Sequence, residues 1–180
     1  MAERLTLVAV VGMPGTGKST LAIALSQALK WPTIDKDILK STLLAAGMAD
    51  GDANLPAYEL MYALARHFLT EQALSVILDS PDPSLSVLQN LANETGAMLK
   101  IVLCVAEREI RNRRVAERNR QHSQPVRESK TQGDGRERYR HLPEDTLLLS
   151  TEESLAVSLK NAMFYLLSSE REHKDEATRS

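Results

Sequence analysis

The residues best suited to chemistry lie in one short segment near the start of the chain. The segment has the spacing G-x-x-x-x-G-K-S and consists of Gly12, Met13, Pro14, Gly15, Thr16, Gly17, Lys18 and Ser19, followed by Thr20. Glycines at these positions let backbone N–H groups surround phosphate oxygens at the start of a helix. The lysine of such a loop reaches the β- and γ-phosphates, and the serine hydroxyl is a ligand of Mg²⁺. The segment therefore predicts a site for a nucleoside triphosphate and Mg²⁺.

Carboxylates follow two other apolar segments that the sequence predicts to be strands. Asp35 and Asp37 follow residues 32–34, and Asp79 ends residues 75–79. In an open parallel sheet these strand ends meet at the edge where ligands bind. We expect Asp79 to hold the water shell of the metal, and Asp35 or Asp37 to take a proton from an acceptor group. Asp35 has the alternative role of capping the helix that begins beside it.

A basic segment follows the fourth predicted strand. Eleven of the 22 lysines and arginines fall between Arg108 and Arg140, although the net charge of the chain is only −2. We expect Arg114 and Arg118 to close on the transferring group, and for the other arginines a solvated helix face is the preferred interpretation. Large apolar residues are nearly absent from 122–141. This composition predicts an arginine-rich lid at about 119–142.

Three side chains on the predicted helix 56–72 could contact an acceptor molecule. Tyr58, Tyr62 and Arg66 are spaced four residues apart and share one stripe of that helix. They are candidates for an acceptor pocket. The alternative is that both tyrosines pack against the protein and Arg66 is solvated.

The order of the elements predicts the fold. Apolar segments at 5–11, 32–34, 75–79, 100–105 and 146–149 alternate with helical patterns at 18–30, 35–47, 56–72, 83–94, 107–121 and 151–167. Asp82 is the predicted N-cap of the fourth helix, and Ser150 and Glu153 have capping-box spacing before the last one. This alternation predicts an α/β protein, a three-layer α/β/α sandwich around a five-stranded parallel sheet. Residues 1–168 form one predicted domain, followed by a flexible tail at 169–180.

Composition limits the partners and the cellular location. The chain has 180 residues, of which 43% are hydrophobic and 26% charged, and it contains a single cysteine, Cys104. One domain with a substantial core is expected, with Cys104 inside it and no intramolecular disulfide. No apolar stretch is long enough to span a bilayer, and the charge balance gives no drive toward nucleic acid or anionic membranes. We expect a cytoplasmic location and no membrane partner.

Four motifs together resemble the small P-loop kinases, the AAA_33-like group that includes chloramphenicol phosphotransferase-like and zeta-toxin-like ATP-dependent kinases. These motifs are residues 12–20, Asp35-Lys36-Asp37-Ile38-Leu39-Lys40, the Walker B-like segment 76–79, and Arg114-Val115-Ala116-Glu117-Arg118. The resemblance implies ATP and Mg²⁺ as cofactors and the strand order 2-3-1-4-5. It also implies that Asp37 is the acid/base and that Arg114 and Arg118 are lid residues. Lys40 stands where many relatives have arginine, and together with Asp35 it is a further candidate acceptor ligand.

Three functions fit these residues. The leading hypothesis is ATP-dependent phosphoryl transfer to a hydroxyl of a small molecule that the sequence does not name. The alternatives are a nucleotide-binding regulatory or assembly protein with weak ATPase activity, and a kinase acting on nucleotides or RNA ends. A small GTPase is not supported, because the chain lacks the N-K-x-D motif that reads guanine.

Overall fold

The computed structural model describes residues 4–121 and 130–177. In the described ranges the strands are β1 (Thr6–Val11), β2 (Thr33–Asp35), β3 (Val76–Asp79), β4 (Met98–Val105) and β5 (Leu147–Ser150). The helices are α1 (Lys18–Leu29), α2 (Lys36–Ala45), α3 (Asn54–Thr70), α4 (Leu85–Thr95), α5 (Arg108–Gln121) and α6 (Leu155–Ala177), with a 3-10 turn at Arg136–Tyr139. The strands are parallel and follow the order β2-β3-β1-β4-β5. This order and the α/β class confirm the predicted fold.

The central strand β1 divides the core into two halves. All six of its residues are buried, which explains its unbroken apolar sequence. Successive side chains of a strand point to opposite faces of the sheet. Leu7, Ala9 and Val11 therefore pack with α3 and α4, while Val8 and Val10 pack with α1 and α6. Helices cover both faces, as the predicted three-layer sandwich requires.

The strand register brings the acidic strand ends to the edge where β1 ends. Asp79 is paired with Val10 of β1 on one side and with Asp35 of β2 on the other. The loop after β1 begins at the same edge, because β1 ends at Val11. The sheet therefore brings the glycine-rich loop, Asp35 and Asp79 together, as parallel topology predicts.

Two predicted helix starts are wrong. Asp82 does not cap α4, because its carboxylate pairs with Arg138 at 2.8 Å, and α4 begins later with Ser84 at its N-cap position. The last helix also starts later than the spacing of Ser150 and Glu153 suggested, with the Oγ of Ser154 accepting a hydrogen bond from the N–H of Val157 at 3.4 Å. The carboxylate of Asp82, which local spacing assigned to the start of α4, is instead bound by Arg138, a residue far away in sequence.

The other boundaries agree to within about three residues, with one exception. Helix α6 continues to Ala177 instead of ending near residue 167, because the segment after 168 contains neither glycine nor proline to stop it. Residues 178–180, the end of the predicted tail, and 122–129, within the predicted lid, lie outside the described residues. The flexibility of both segments stays a prediction.

The single cysteine lies in the core as expected. Cys104 on β4 is 1% exposed, and burial raises the pKa of its thiol to about 12, with the charge of Asp79 acting in the same direction and that of Lys18 opposing it. A neutral buried thiol is a packing group rather than a nucleophile. Over the described ranges, none of the helices combines the length and apolarity that crossing a membrane requires.

Candidate functional site

The loop between β1 and α1 has no room for side chains at two of its glycines. Gly12 and Gly15 have φ values of +150° and +82°. A Cβ on Gly12 would lie 2.5 Å from the carbonyl oxygen of Cys104, and one on Gly15 would lie 2.4 Å from that of Arg111. The hydroxyl of Thr16 closes the loop by donating to the carbonyl of Met13 at 2.8 Å. The loop therefore packs against β4 and α5 with its backbone, which is the arrangement a phosphate cradle needs.

Behind this loop lies a group of buried polar side chains that fits a nucleotide-bound Mg²⁺. Lys18 and Asp79 are only 6% and 3% exposed, and the Ser19 side chain lies close enough to Asp79 to lower the pKa of its carboxyl against the effect of burial. Within the described residues, Oδ1 of Asp79 is buried without a hydrogen-bond partner. Carboxylate and hydroxyl oxygens are ligands that Mg²⁺ prefers. Ser19 and Asp79 are thus the residues that would hold the ion, as the sequence suggested.

Those two residues would need further ligands from the nucleotide. The described ranges contain no group of three or more His, Cys, Asp or Glu side chains arranged to hold a metal. Mg²⁺ usually takes one or two protein oxygens and completes its shell with phosphates and waters. Ser19 and Asp79 would therefore hold the ion only together with phosphate and water oxygens.

Asp79 gives the nucleotide-free protein a distinctive pH dependence. Burial raises the pKa of Asp79 to about 6, against the opposing effects of Lys18 and Ser19. Between about pH 4 and pH 6 the folded state therefore binds more protons than the unfolded state, so this group lowers the free energy of unfolding as pH rises, and its effect is constant above that range. We expect Asp79→Asn to remove this dependence and to stabilise the nucleotide-free protein by roughly 3 kcal/mol at pH 8.

Urea unfolding of the two proteins at pH 4 and pH 8 measures this effect. The same variant should lose the Mg²⁺-dependent part of nucleotide affinity, because a neutral amide is a poorer partner for a cation. If Asp79→Asn is less stable than the wild type at pH 8, the result would contradict the interpretation that Asp79 is a buried carboxylate whose charge destabilises the nucleotide-free protein.

Asp35 and Asp37 take different roles at the start of α2. Oδ1 of Asp35 accepts hydrogen bonds from the N–H groups of Asp37 and Ile38 at 2.7 and 3.3 Å, so Asp35 is the N-cap of this helix. This is the alternative role that the sequence allowed. Asp37 stays partly exposed and pairs with Nζ of Lys36 at 2.7 Å. The arrangement favours Asp37 over Asp35 as the group available to a substrate.

Cationic side chains keep Asp37 ionised. Burial raises the pKa of Asp37, but the hydrogen bond and charge of Lys36, together with the charges of Lys18 and Arg118, outweigh it and hold the pKa below its usual value. Lys36 itself is 6% exposed. Sequence reasoning missed this lysine, because a lysine between two aspartates normally indicates a solvated turn.

A cavity of about 430 Å³ runs from the glycine-rich loop to the turn between β5 and α6. It is lined by Pro14, Gly15, Gly17, Lys18, Ser19, Thr20, Leu21, Arg114, Val115, Arg118, Thr151, Glu153, Leu155 and Ser158. The loop itself forms the end of the cavity where phosphates would bind. The shape and lining suit a nucleotide that extends from its phosphates to its base.

Arg114 braces the wall of this nucleotide cavity. Its guanidinium donates to the carbonyl of Gly15 at 3.3 Å, and to the hydroxyl and carbonyl of Thr151 at 3.1 and 2.8 Å. The Thr151 hydroxyl in turn donates to the carbonyl of Thr16. Arg114 therefore joins α5, the glycine-rich loop and the β5–α6 turn. Thr151 was not predicted as a site residue, and its position directly after β5 at the ligand edge is the signal that could have found it.

Arg118 lies between the nucleotide cavity and a second cavity. This second cavity has a volume of about 390 Å³ between α2 and α5, and it is lined by Asp35, Asp37, Ile38, Ser41, Thr42, Ala45 and Arg118. Arg118 lines both spaces, and the side chain is exposed. A cation at this junction faces the place where the outer phosphate of a bound nucleotide would meet a molecule beside Asp37.

The sequence predicts that the arginines of α5 other than Arg114 and Arg118 lie on a solvated helix face. This prediction is wrong for Arg111. Its side chain is 0% exposed. The guanidinium donates to the carbonyls of Ala106, Gly133 and Thr131 at 2.9, 2.9 and 2.8 Å. It thus ties the described end of the predicted lid segment to the start of α5, directly under the glycine-rich loop.

The predicted acceptor stripe on α3 is largely occupied by protein contacts. Tyr58, Tyr62 and Arg66 line a third cavity of about 540 Å³. The Tyr58 hydroxyl accepts a hydrogen bond from Ser80 at 3.1 Å and the Tyr62 hydroxyl accepts one from the N–H of Ser84 at 3.0 Å, so these tyrosines hold the loop after β3. Arg66 pairs with Glu94, and Lys40 pairs with Asp50 at 2.8 Å outside all three of these cavities. These contacts favour the packing interpretation.

Comparison with known proteins places the chain in a family. The model of the AAA_33 family, described as an AAA domain, matches residues 7–142. The chain belongs to the AAA_33 family. This confirms the family resemblance that the four motifs indicated. No curated protein sequence matched the chain.

The fold of this AAA_33 chain is similar to those of several solved structures. It is similar to a Chloroflexus aurantiacus protein that has been assigned as a kinase (TM-score 0.74, 22% identity, 93% of this chain and 99% of that chain). It is also similar to a gluconokinase from Sinorhizobium meliloti (0.62, 19%, 99% and 99%) and to an APS kinase of Mycobacterium tuberculosis in complex with AMPPNP and APS (0.63, 17%, 92% and 99%). At these identities the likeness establishes a shared P-loop kinase fold.

Proposed function

We propose that this protein is a phosphotransferase that uses ATP and Mg²⁺ to phosphorylate a hydroxyl group of a small molecule. The observation that carries the proposal is the position of Arg118, which lines both the nucleotide cavity and the cavity beside Asp37. Donor and acceptor would therefore meet at a cation, with a carboxylate on the acceptor side. The kinase names of the gluconokinase and the APS kinase with the same fold support this class of reaction.

The donor half of the reaction depends on groups that would bind the phosphates of the nucleotide and neutralise their negative charge. The glycine-rich loop would bind the phosphates through its N–H groups, and Lys18 would reach the outer phosphates. Ser19 and Asp79 would hold Mg²⁺, which when bound neutralises charge on the phosphate oxygens. Arg118 would face the γ-phosphoryl group from the side of α5. Each of these groups acts by position and charge, which is most of what phosphoryl transfer requires.

The acceptor half depends on Asp37. The cationic surroundings of Asp37 keep it ionised near neutral pH, so it can accept a hydrogen bond from a hydroxyl and receive its proton late in the transfer. A strong base is not needed, because the transition state of phosphoryl transfer is loose and bond formation to the hydroxyl is limited. The second cavity, at about 390 Å³, has room for a small acceptor.

Replacing Asp37 with asparagine tests this proposal. We expect acceptor-stimulated ADP release to fall by a factor of about 10², with the dissociation constant for Mg·ATP unchanged, because asparagine keeps the size of the side chain but cannot take a proton. The measurement is a coupled ADP assay over a panel of polyols, sugars, sugar acids and nucleosides. Asp50→Asn is the matched control on the surface. Equal acceptor-stimulated rates in wild type and Asp37→Asn would exclude Asp37 as the base.

A nucleotide-dependent regulatory or assembly protein is the alternative from another class. It predicts that no acceptor in the panel raises turnover, while Mg·ATP changes the oligomeric state. Sedimentation velocity with and without nucleotide, run beside the ADP assay, separates the two functions.

Action on RNA ends has weaker support from the basic segment. Five arginines of this segment already have partners within the protein. Their guanidinium groups donate to protein oxygen atoms, and they are Arg111, Arg114, Arg138, Arg136 and Arg140. An RNA-end kinase predicts oligonucleotide binding that weakens steeply with salt. Fluorescence anisotropy with a short 5′-hydroxyl RNA at two salt concentrations decides the point.

A further inference from the structure

Lys36 occupies an unusual place for a lysine. It is the first residue of α2 and is 6% exposed. Its ammonium lies 2.7 Å from Oδ1 of Asp37, 3.3 Å from Oδ1 of Asn54, and 5.5 Å from the centre of the Tyr58 ring. Asn54 and Tyr58 both belong to the first two turns of α3. One buried cation therefore joins the start of α2 to the start of α3.

Helix stability alone does not account for this lysine. A cation in the first turn opposes the helix dipole and costs roughly 0.3–1 kcal/mol. Burial of an ammonium group also carries a desolvation cost, which only good pairing offsets. Asp35 already caps α2 through two backbone N–H groups, so α2 does not need Lys36 to begin. Residues that break local rules in this way are expected at functional sites.

The other charges around Asp37 behave differently when a nucleotide binds. Lys18 faces Asp37 from α1, Arg118 faces it from α5, and the acidic Asp79 lies nearby on β3. Lys18 and Arg118 line the nucleotide cavity, so bound phosphates would neutralise them. Lys36 does not line that cavity, and its ammonium is enclosed by Asp37, Asn54 and Tyr58. Its charge remains directed at Asp37.

We propose that Lys36 is a positioning residue that fixes the Asp37 carboxylate against α3 and keeps it ionised while the nucleotide is bound. The inference rests on the proposed function, in which Asp37 receives the proton of the acceptor. The direct contact with Lys36 is also the first cationic influence that holds the pKa of Asp37 down against burial. Lys36 acts through Asp37 and touches neither nucleotide nor acceptor.

Carbon-13 titration of the Asp37 carboxyl in protein saturated with Mg·AMP-PNP tests the proposal, with Asp37→Asn used to assign the resonance. We expect Lys36→Met to raise the titration midpoint by about one pH unit or more, and Lys36→Arg to keep it within a few tenths of a unit because the charge is retained. Lys100→Met is the matched control, since Lys100 also lies over a tyrosine, with Nζ 4.6 Å from the Tyr165 ring centre, but on β4. An unchanged midpoint in Lys36→Met would overturn the proposal.

Two further arms keep the test decisive. If Lys36→Met does not fold, Lys36→Gln retains a hydrogen-bond donor without charge, and it should raise the midpoint; an unchanged midpoint in this variant overturns the proposal equally. With an active acceptor, the acid limb of the kcat profile should move up with the midpoint while KM for ATP is constant. The titration needs no acceptor. If no acceptor in the panel raises turnover, that result counts against the proposed function alone. If the titration midpoint of Asp37 is the same in the Lys36 variants as in the wild type, that result counts against the role of Lys36 alone.

Discussion

Replacement of Lys18 by methionine is expected to lower ATP turnover by a factor of about 10³. Lys18 is the buried cation of the glycine-rich loop, and its charge acts on both Asp79 and Asp37. Without it, the outer phosphates would face these carboxylates with one fixed positive charge fewer, and that of Arg118 would remain only on the side of α5. Methionine preserves the length and apolar stem of the side chain, so the variant removes the charge and little else.

Steady-state turnover and calorimetric binding of Mg·ATP together measure the effect of Lys18→Met. Lys30→Met is the matched control, because Lys30 lies at the other end of the same helix, at its C-cap position, and it should keep the wild-type rate. Turnover in Lys18→Met within tenfold of the wild type would show that the phosphates bind elsewhere.

Replacement of Gly15 by alanine is expected to destabilise the fold by roughly 3 kcal/mol and to abolish detectable Mg·ATP binding. The backbone at Gly15 has a φ of +82°, and an added Cβ would lie 2.4 Å from the carbonyl oxygen and 2.9 Å from the Cα of Arg111. Both are backbone atoms of α5, which cannot rotate away. The loop or the helix would have to move, and either movement disrupts the phosphate cradle.

Gly96→Ala separates the clash from the conformational cost. Gly96 has a φ of +67°, and a Cβ added there would meet no other atom within 4 Å, so alanine at this position should cost only about 1 kcal/mol. Urea midpoints of both variants and their affinity for Mg·ATP give the comparison. Equal stability losses in the two variants would mean that the contact of the loop with α5 is not rigid.

The fold and the donor half of the site follow from local sequence patterns. β1 is apolar throughout because both of its faces are covered, and the glycines after it are spaced for a turn that only glycine permits. Asp79 could be placed because a strand end in a parallel sheet lies at a known edge. Each of these features depends on neighbours in sequence or on the regular geometry of the sheet.

The features that could not be predicted depend on distant partners. Lys36 and Arg111 are buried because Asn54 and Gly133, 18 and 22 positions away, supply oxygen atoms. Asp82 fails to cap α4 because Arg138, 56 positions away, binds its carboxylate. A charged residue in a polar stretch predicts solvent exposure, and only the folded chain shows that a partner has been brought to it.

The central position of β1 has a consequence for how the protein is made. The N–H of Thr6 bonds to the side chain of Ser75, 69 positions later, and the other edge of β1 pairs with β4 from Met98 onward. Synthesis proceeds at about 5–20 residues per second, so the apolar strand β1 is made several seconds before β3 and β4, with which it pairs. Pairing across such separations slows folding. We expect the nascent chain to depend on chaperones until β4 has emerged, and Mg·ATP to favour only the completed sheet.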